Sequence, residues 1–228
     1  MLTKSKIYQI LCNIRNNGYN CFVSEAQLRD VFAIELNKTF SNYQIFPEFT
    51  PWNNPSHFVF GNKKISFDLL AKSKEEKVAF EFKYKTRAFE TVLFGEKIKL
   101  NSQEDTTNGR FDIWEDIYRL EQFVKDNQLK KGYLIFITNY PTYFAIPRPG
   151  TDSEPFSISK GEHIACTKEW PSCSKRTRDN NFALDIQNNY YFDYAEYSQI
   201  DNEVFYLLLV EVLWNLFFVI LMAFWILR

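Results

Sequence analysis

Two carboxylates and one lysine occupy neighbouring segments of the chain that each alternate apolar and polar residues. Asp68 lies in the segment 65–70, and Glu81 and Lys83 lie in the segment 78–85. A short charged linker separates the two segments, so the pattern predicts a β-hairpin. In that hairpin Asp68 lies directly across from Glu81, with Cβ atoms about 5 Å apart. Facing carboxylates repel unless a cation lies between them, so the pair indicates a site for a hard divalent ion such as Mg²⁺.

The lysine adds a second chemical function to this pair. An ammonium group one pleat along the strand can hold an attacking water or offset the charge that builds on a phosphate. A solvated surface hairpin would carry the same residue types, so the flanking segments decide between these two interpretations. With the turn centred on Lys74 and Glu75, strict alternation also predicts that Ile65, Phe67 and Leu69 share one face of the hairpin.

A helix with a carboxylate in its first turn precedes the hairpin. Ser24 is a good N-cap, with Gln27 three residues further on, and the apolar stripe that follows predicts a helix from Glu25 to Thr39. The helix dipole favours a carboxylate in the first turn. This structural role would by itself explain Glu25. A shorter helical stripe over 3–15 precedes this element.

A further helix and a buried strand are predicted after the hairpin. Apolar residues recur at helical spacing over 109–124, and Asp116 and Arg119 lie on one face of that helix. The run 133–138 is continuously apolar, which is typical of a strand buried on both faces. A helix, a hairpin, a helix and a buried strand together predict an α/β core with a mixed sheet.

The chain at 68–83, an aspartate followed after twelve residues by Glu-Phe-Lys, resembles the PD-(D/E)XK nuclease superfamily. Phe67 stands where the proline of that name would be. The sequence SEAQL at 24–28 resembles the first-helix motif of small stand-alone prokaryotic members, in which this glutamate completes the acidic cluster. The run 116–121 resembles the helix after the catalytic hairpin in the same family.

This resemblance implies an α/β fold of the restriction-endonuclease type, with a mixed central sheet flanked by helices. It implies Mg²⁺-dependent hydrolysis of phosphodiester bonds, with DNA as the expected substrate and Mn²⁺ as a substitute metal. Asp68, Glu81 and the backbone carbonyl of Phe82 are expected to hold the metal. Glu25 is expected to bind the same or a second ion, directly or through water, and Lys83 to orient and activate a water.

The resemblance also suggests weaker contacts to the substrate. The polar segment 86–108 has no convincing period, and in the resembling family the matching stretch is a connection near the substrate. Expected substrate contacts are Lys85, Arg87, Gln103, Asp116 and Arg119. A structural ion pair is the alternative for Asp116 and Arg119.

The charge distribution, the glycine spacing and the cysteines limit which classes of function fit this chain. The net charge is −1, so the whole protein does not attract nucleic acid, but residues 63–99 carry ten Lys or Arg against six acids. This local excess fits a phosphate-binding surface. The spacing of the glycines excludes a P-loop and a dinucleotide-binding fingerprint. The segment 1–14 lacks the features of a signal peptide and the four cysteines form no CxxC pair, so we expect a cytoplasmic protein.

The C-terminal part predicts an extension of the core and then an apolar tail. Short strands are expected around 156–158, 182–186, 190–194 and 204–212, with a second basic patch at 172–178. Residues 1–212 would then form the nuclease-like domain. The tail at 213–228 would associate with a membrane, dock as a helix on the protein, a partner or a second copy in a homodimer, or represent an aberrant C-terminus.

An alternative function of another class follows from the same features. A nuclease-like scaffold can lose catalysis and serve as a membrane-tethered or oligomeric binding protein. The acids of the motif are all present in this chain, which favours the enzyme.

Overall fold

The computed structural model describes residues 1–53, 65–103, 105–171 and 182–213. Within these ranges the chain is a mixed α/β fold with three α-helices and a central sheet of six strands. The helices are α1 (Lys4–Asn16), α2 (Glu25–Thr39) and α3 (Thr106–Lys125). The strands are β1 (Gln44–Phe49), β2 (Phe67–Lys72), β3 (Lys77–Lys85), β4 (Phe89–Leu93), β5 (Glu96–Leu100), β6 (Lys131–Thr138), β7 (Gly161–His163), β8 (Cys166–Lys168), β9 (Leu184–Ile186), β10 (Tyr190–Phe192), β11 (Tyr194–Ile200) and β12 (Glu203–Val212).

The central sheet has the strand order β1-β2-β3-β6-β12-β11. Neighbouring strands are antiparallel except for β3 and β6, which are parallel and have α3 in the connection between them. The strands β4 and β5, β7 and β10, and β8 and β9 form separate two-stranded sheets in the described part of the chain. The predicted α/β core with a mixed sheet is therefore confirmed.

Different helices cover the two faces of the sheet. Tyr133, Ile135 and Ile137 of β6 point into a core that α1 and α2 complete, whereas Leu134 and Phe136 point into the core beneath α3. Every residue of β6 is buried, as its continuous apolar run predicts. The strand next to it, β3, contributes Ala79 to the core beneath α3 and Phe80 and Phe82 to the core with α1 and α2, so it too is held between two hydrophobic layers.

The start of α2 has the predicted cap. The Ser24 side chain accepts a hydrogen bond from the N–H of Gln27 at 3.1 Å, and Gln27 Oε1 accepts one from the N–H of Val23 at 2.8 Å. The first bond satisfies one of the amide groups that a helix N-terminus otherwise leaves without partners, and the second ties the residue before the cap to the first turn. The helix runs from Glu25 to Thr39, as predicted, so Glu25 is its first residue.

The β2–β3 hairpin has the predicted register. Lys72 pairs with Lys77, which centres the turn between Lys74 and Glu75. The ladder continues to the pair of Leu69 and Phe80 and stops there, so the predicted cross-strand pair of Asp68 and Glu81 is not formed; the Asp68 carboxylate binds the N–H of Phe82 instead.

The faces of β2, in contrast, differ from the prediction. Phe67 packs in the core beneath α3, whereas Leu69 packs on the opposite side with α1 and α2. Asp68 lies between them and, among the described residues, pairs with neither β1 nor β3. The prediction that Ile65, Phe67 and Leu69 share a face is therefore wrong, because one irregular residue shifts the positions before it to the other face.

A glycine in β6 lets α3 lie close to the sheet. A Cβ on Gly132 would come 2.7 Å from Cδ2 of Leu120 in α3, closer than carbon atoms can approach without a shift. Leu120 itself is fully buried at this contact. Because Gly132 has no side chain, α3 lies close enough to the sheet for its polar residues to reach β3.

The segment 86–108 was predicted to be a connection without a period, and this prediction is wrong. It contains the hairpin β4–β5, with a two-residue turn at Phe94 and Gly95. Both turn residues have positive φ, 51° and 84°, as a type I′ turn requires. Of the strands predicted in the C-terminal part, those around 182–186, 190–194 and 204–212 are confirmed as β9, β10 and β12. The predicted strand at 156–158 is not formed, although Phe156 and Ile158 are buried.

Two expectations fall outside the described residues: the basic patch at 172–178 and the tail beyond residue 213. None of the helices in the described ranges is both long and apolar enough to cross a bilayer.

Candidate active site

The site is built on one edge of β3 where the neighbouring strand stops pairing. The β2–β3 ladder ends at Phe80, but β3 continues to Lys85. The N–H of Phe82 donates to Asp68 Oδ2 at 2.7 Å, and the N–H of Tyr84 donates to Glu25 Oε2 at 3.0 Å. Carboxylates thus take the place of ladder partners along this edge. The N–H and C=O of one residue point to the same side of a strand, so the Phe82 carbonyl lies on this edge too.

The side chains of Glu81 and Lys83 meet α3 on the face of the sheet that this helix covers. Lys83 Nζ lies 2.6 Å from Asp116 Oδ2. Arg119 Nε donates to Glu81 Oε1 at 2.9 Å, and a terminal nitrogen of Arg119 donates to Asp116 Oδ1 at 2.5 Å. Asp116 and Arg119 are one helical turn apart, so one face of α3 supplies both groups.

These residues form a network that we call the acid cluster: Glu25, Asp68, Glu81, Lys83, Asp116 and Arg119. Asp68 raises the pKa of both Glu25 and Glu81, so the three carboxylates share one electrostatic neighbourhood. The cluster holds four carboxylates and two cations. The side chains of Glu81 and Asp116 are only 1% and 3% exposed, whereas Glu25 and Asp68 are half-buried, so the excess of negative charge is partly shielded from water.

Lys83 stays protonated in this setting. Burial lowers the pKa of the Lys83 ammonium, but Asp116, Glu25, Glu81 and Asp68 raise it more, and the net shift is upward. Lys83 is therefore a hydrogen-bond donor and a fixed positive charge at neutral pH. It cannot act there as a general base.

The pKa values of Glu25 and Glu81 are shifted upward, which disfavours the charged forms of these two carboxylates. Burial raises the pKa of Glu25, with a smaller increase from Asp68, while Lys83 and the Tyr84 N–H lower it. Burial also raises the pKa of Glu81, and Asp116 and Asp68 add to the increase against the opposing effects of Arg119 and Lys83. Both carboxylates would gain from a further positive charge.

The donor set fits a hard divalent cation in its chemistry. Carboxylate and backbone carbonyl oxygens are the ligands that Mg²⁺ takes in proteins, and the cluster has two more carboxylates than cations. Within the described ranges, no three His, Cys, Asp or Glu side chains stand in a metal-ligating arrangement. Each of the four carboxylates is engaged by a donor of the protein itself.

A groove adjoins the cluster at Glu25. Its volume is about 310 Å³, and its polar lining includes Lys85, Lys99, Asn101 and Gln103. We call it the lysine groove. The β4–β5 hairpin supplies one wall, and the N–H of Gln103 donates to the Thr86 carbonyl at 2.8 Å, which holds that wall against the end of β3. The structure therefore brings two of the expected substrate contacts, Lys85 and Gln103, next to Glu25.

The other expected contacts lie elsewhere. Arg87 forms a two-bond ion pair with Glu203 at the start of β12, and its N–H donates to Asn139 Oδ1. Its charge is thus balanced away from the cluster. Asp116 and Arg119 form the ion pair that was the structural alternative, at 2.5 Å. They also bind Lys83 and Glu81, which sequence reasoning missed because no local spacing relates α3 to β3.

No family model, no curated protein sequence and no solved structure matches this chain.

Proposed function

We propose that this protein is a metal-dependent nuclease that hydrolyses phosphodiester bonds, with DNA as its first candidate substrate, on a restriction-endonuclease-like fold. The observation that carries the proposal is that Asp68 and Glu25 bind neighbouring amides on the open edge of β3 and share one electrostatic neighbourhood with Glu81 and the protonated Lys83 of the same strand. A lysine-lined groove opens beside them. An acid set of this kind is costly to keep, so its assembly argues for a chemical use.

Asp68, Glu81 and the Phe82 carbonyl would hold Mg²⁺, with Glu25 as a further ligand. When bound, the ion supplies charge stabilisation and lowers the pKa of a coordinated water. Lys83 donates hydrogen bonds: it orients the attacking water and offsets the negative charge that builds on the phosphate. Its pKa keeps it charged while it does so.

Lys85 and Lys99 would bind backbone phosphates on either side of the scissile bond, Lys99 by exchanging its exposed ion pair with Glu90 for the phosphate, and Asn101 and Gln103 would donate hydrogen bonds to the same strand. Phosphate contacts of this kind position nucleic acid without reading its sequence. At about 310 Å³ the groove is at the small end of ligand sites. It is suited to one segment of a strand next to the reacting phosphate.

The order of elements supports the fold assignment within this proposal. A helix with the first acid, an antiparallel hairpin with the second and third acids, a helix and a parallel buried strand follow one another in the expected sequence. The fold on its own would not establish an activity.

The test uses the purified full-length chain with plasmid DNA and with a labelled single-stranded oligonucleotide, in Mg²⁺ or Mn²⁺. Asp68→Asn and Lys83→Gln should reduce cleavage to the background, while Asp193→Asn, a surface acid far from β3 in sequence, should leave it unchanged. Equal residual cleavage in all four proteins would indicate a contaminant and contradict the proposal. Calorimetry with Mn²⁺ then separates the alternative: a binding scaffold would show no heat that depends on Asp68 and Glu81.

A further inference from the structure

Arg119 bridges two carboxylates, and its terminal nitrogen Nη2 lies within 2.9 Å of both. Its Nε donates to Glu81 at 2.9 Å, and a terminal nitrogen donates to Asp116 at 2.5 Å. The side chain is 12% exposed and thus mostly shielded from water. Glu81, the fully buried carboxylate that should bind the metal, therefore already has a cation beside it.

We propose that Arg119 occupies the cation position at Glu81 in the metal-free protein, and that it withdraws to Asp116 when a divalent ion binds. This inference rests on the proposed function, because it specifies how the same site is kept stable before the metal arrives. Arg119 acts through Glu81 and is in this sense a positioning residue.

The geometry provides a second place for the guanidinium. The terminal nitrogen Nη2 carries two N–H groups, so its bond to Asp116 can remain while the contacts of Nε and Nη2 with Glu81 break. Asp116 also binds Lys83 at 2.6 Å, so it holds both cations of the cluster at once. A divalent ion at Glu81 repels Arg119, and Asp116 is the carboxylate in contact that can retain it.

The burial of Glu81 explains why the metal-free protein would keep an arginine beside this carboxylate. A carboxylate as deeply buried as Glu81 is unstable without a compensating positive charge. A cation supplied by the protein removes this penalty when no metal is present. The cost is that an incoming ion must break the Arg119–Glu81 bonds, so metal affinity is lower than the ligands alone would allow.

The experiment measures Mn²⁺ affinity by calorimetry on the full chain and on Arg119→Gln. The variant should bind Mn²⁺ about tenfold more tightly or better, because the ion no longer displaces a buried partner. Two controls separate this effect from others. Arg110→Gln removes another buried arginine of α3, whose donors bind carbonyls of 142–145, and should leave the affinity unchanged. Lys85→Gln removes one charge near Glu25 and should tighten binding by about threefold at most.

Thermal unfolding gives a readout independent of activity. Without metal, Arg119→Gln should unfold at a lower temperature than the unmodified chain, and saturating Mn²⁺ should raise its midpoint by more. If Arg119→Gln does not fold, Arg119→Lys replaces the two-donor fork with one compact ammonium, and its affinity should lie above that of the unmodified chain.

Unchanged or weaker Mn²⁺ binding in the Arg119 variants would overturn the inference, and weaker binding would in addition show that Arg119 holds Glu81 in place for the metal. That result would leave the proposed function standing if Mn²⁺ binding to the unmodified chain still depends on Asp68. Failure of every variant and of the unmodified chain to bind Mn²⁺ would overturn both.

Discussion

Glu25, the first residue of α2, accepts a hydrogen bond from the backbone N–H of Tyr84, which is 59 residues further along the chain. One carboxylate therefore lies in the first turn of a helix, where the helix dipole favours its charge, and also binds an amide on the open edge of β3. Its structural role and its proposed role in metal binding use the same group, and only a variant that keeps one of them can separate the two.

Glu25→Gln is that variant. The amide oxygen can still accept the Tyr84 N–H, so we expect the fold to persist, but the lost negative charge should reduce metal affinity or cleavage by about 10–100-fold. Glu25→Ala should also lose the hydrogen bond and about 1 kcal/mol of unfolding free energy. Plasmid cleavage and urea unfolding measure the two effects. Asp30→Asn, which changes an exposed acid of the same helix, should alter neither, and a fully active Glu25→Gln would contradict the role of the charge.

The raised pKa of Glu25 predicts a pH dependence of stability. The folded chain keeps this proton to a higher pH than the unfolded chain, whose glutamates ionise near the ordinary pKa of 4.5. In the metal-free protein the free energy of unfolding should therefore fall as the pH rises from about 4.5 through the raised pKa of Glu25. Urea unfolding in a chelator, measured across this range, should show a smaller fall in Glu25→Gln. An identical slope in both proteins would refute the assignment.

Asp116→Asn should destabilise the protein because it leaves Lys83 and Arg119 without a shared carboxylate. Breaking a buried ion pair costs about 3–5 kcal/mol, and we expect the lower end because both cations keep other acids nearby. The free energy of urea unfolding measures this loss. Asp193→Asn breaks the exposed pair with Lys160 and should leave the unfolding midpoint where it is. Equal effects of the two substitutions would mean that the network does not stabilise the fold.

Lys99→Gln tests the lysine groove. With cleavage blocked by Asp68→Asn, removal of this lysine should weaken binding of single-stranded DNA and reduce the slope of log affinity against log salt by about 1. Fluorescence anisotropy at several salt concentrations measures both values. Lys74→Gln removes an equal charge at the other end of the β2–β3 hairpin and should leave the slope unchanged. The same slope in Lys99→Gln as in its parent would place the substrate elsewhere.

The sequence was sufficient for those parts of the fold in which local pattern and packing agree. The cap at Ser24, the apolar run of β6 and the register of the β2–β3 hairpin all follow from short-range rules. The β4–β5 hairpin was missed because its turn places Phe94 at positive φ, where phenylalanine is uncommon. Gly95 and the alternation around it were the available signal.

The residues of the candidate site were chosen from the sequence, but the contacts among them were not predicted. The order of Glu25, Asp68, Glu81 and Lys83 along the chain singled them out, but no sequence pattern relates α3 to β3. The pairs of Lys83 with Asp116 and of Arg119 with Glu81 depend on how closely α3 packs, and Gly132 permits that approach. Asp68 breaks the alternation of β2 because its side chain binds the Phe82 N–H, a tertiary contact that a period-2 rule cannot include.

β3 continues beyond the end of its ladder with β2, and this unpaired stretch bears on how the molecule avoids self-association. An unpaired sheet edge can form hydrogen bonds with strands from other copies, and many proteins protect such an edge with lysines or a bulge. In this chain Asp68 and Glu25 already bind two of the amide groups that a foreign strand would seek. The two carboxylates that we propose as metal ligands thus also occupy amide groups of β3, and losing both would leave part of a strand edge unpaired.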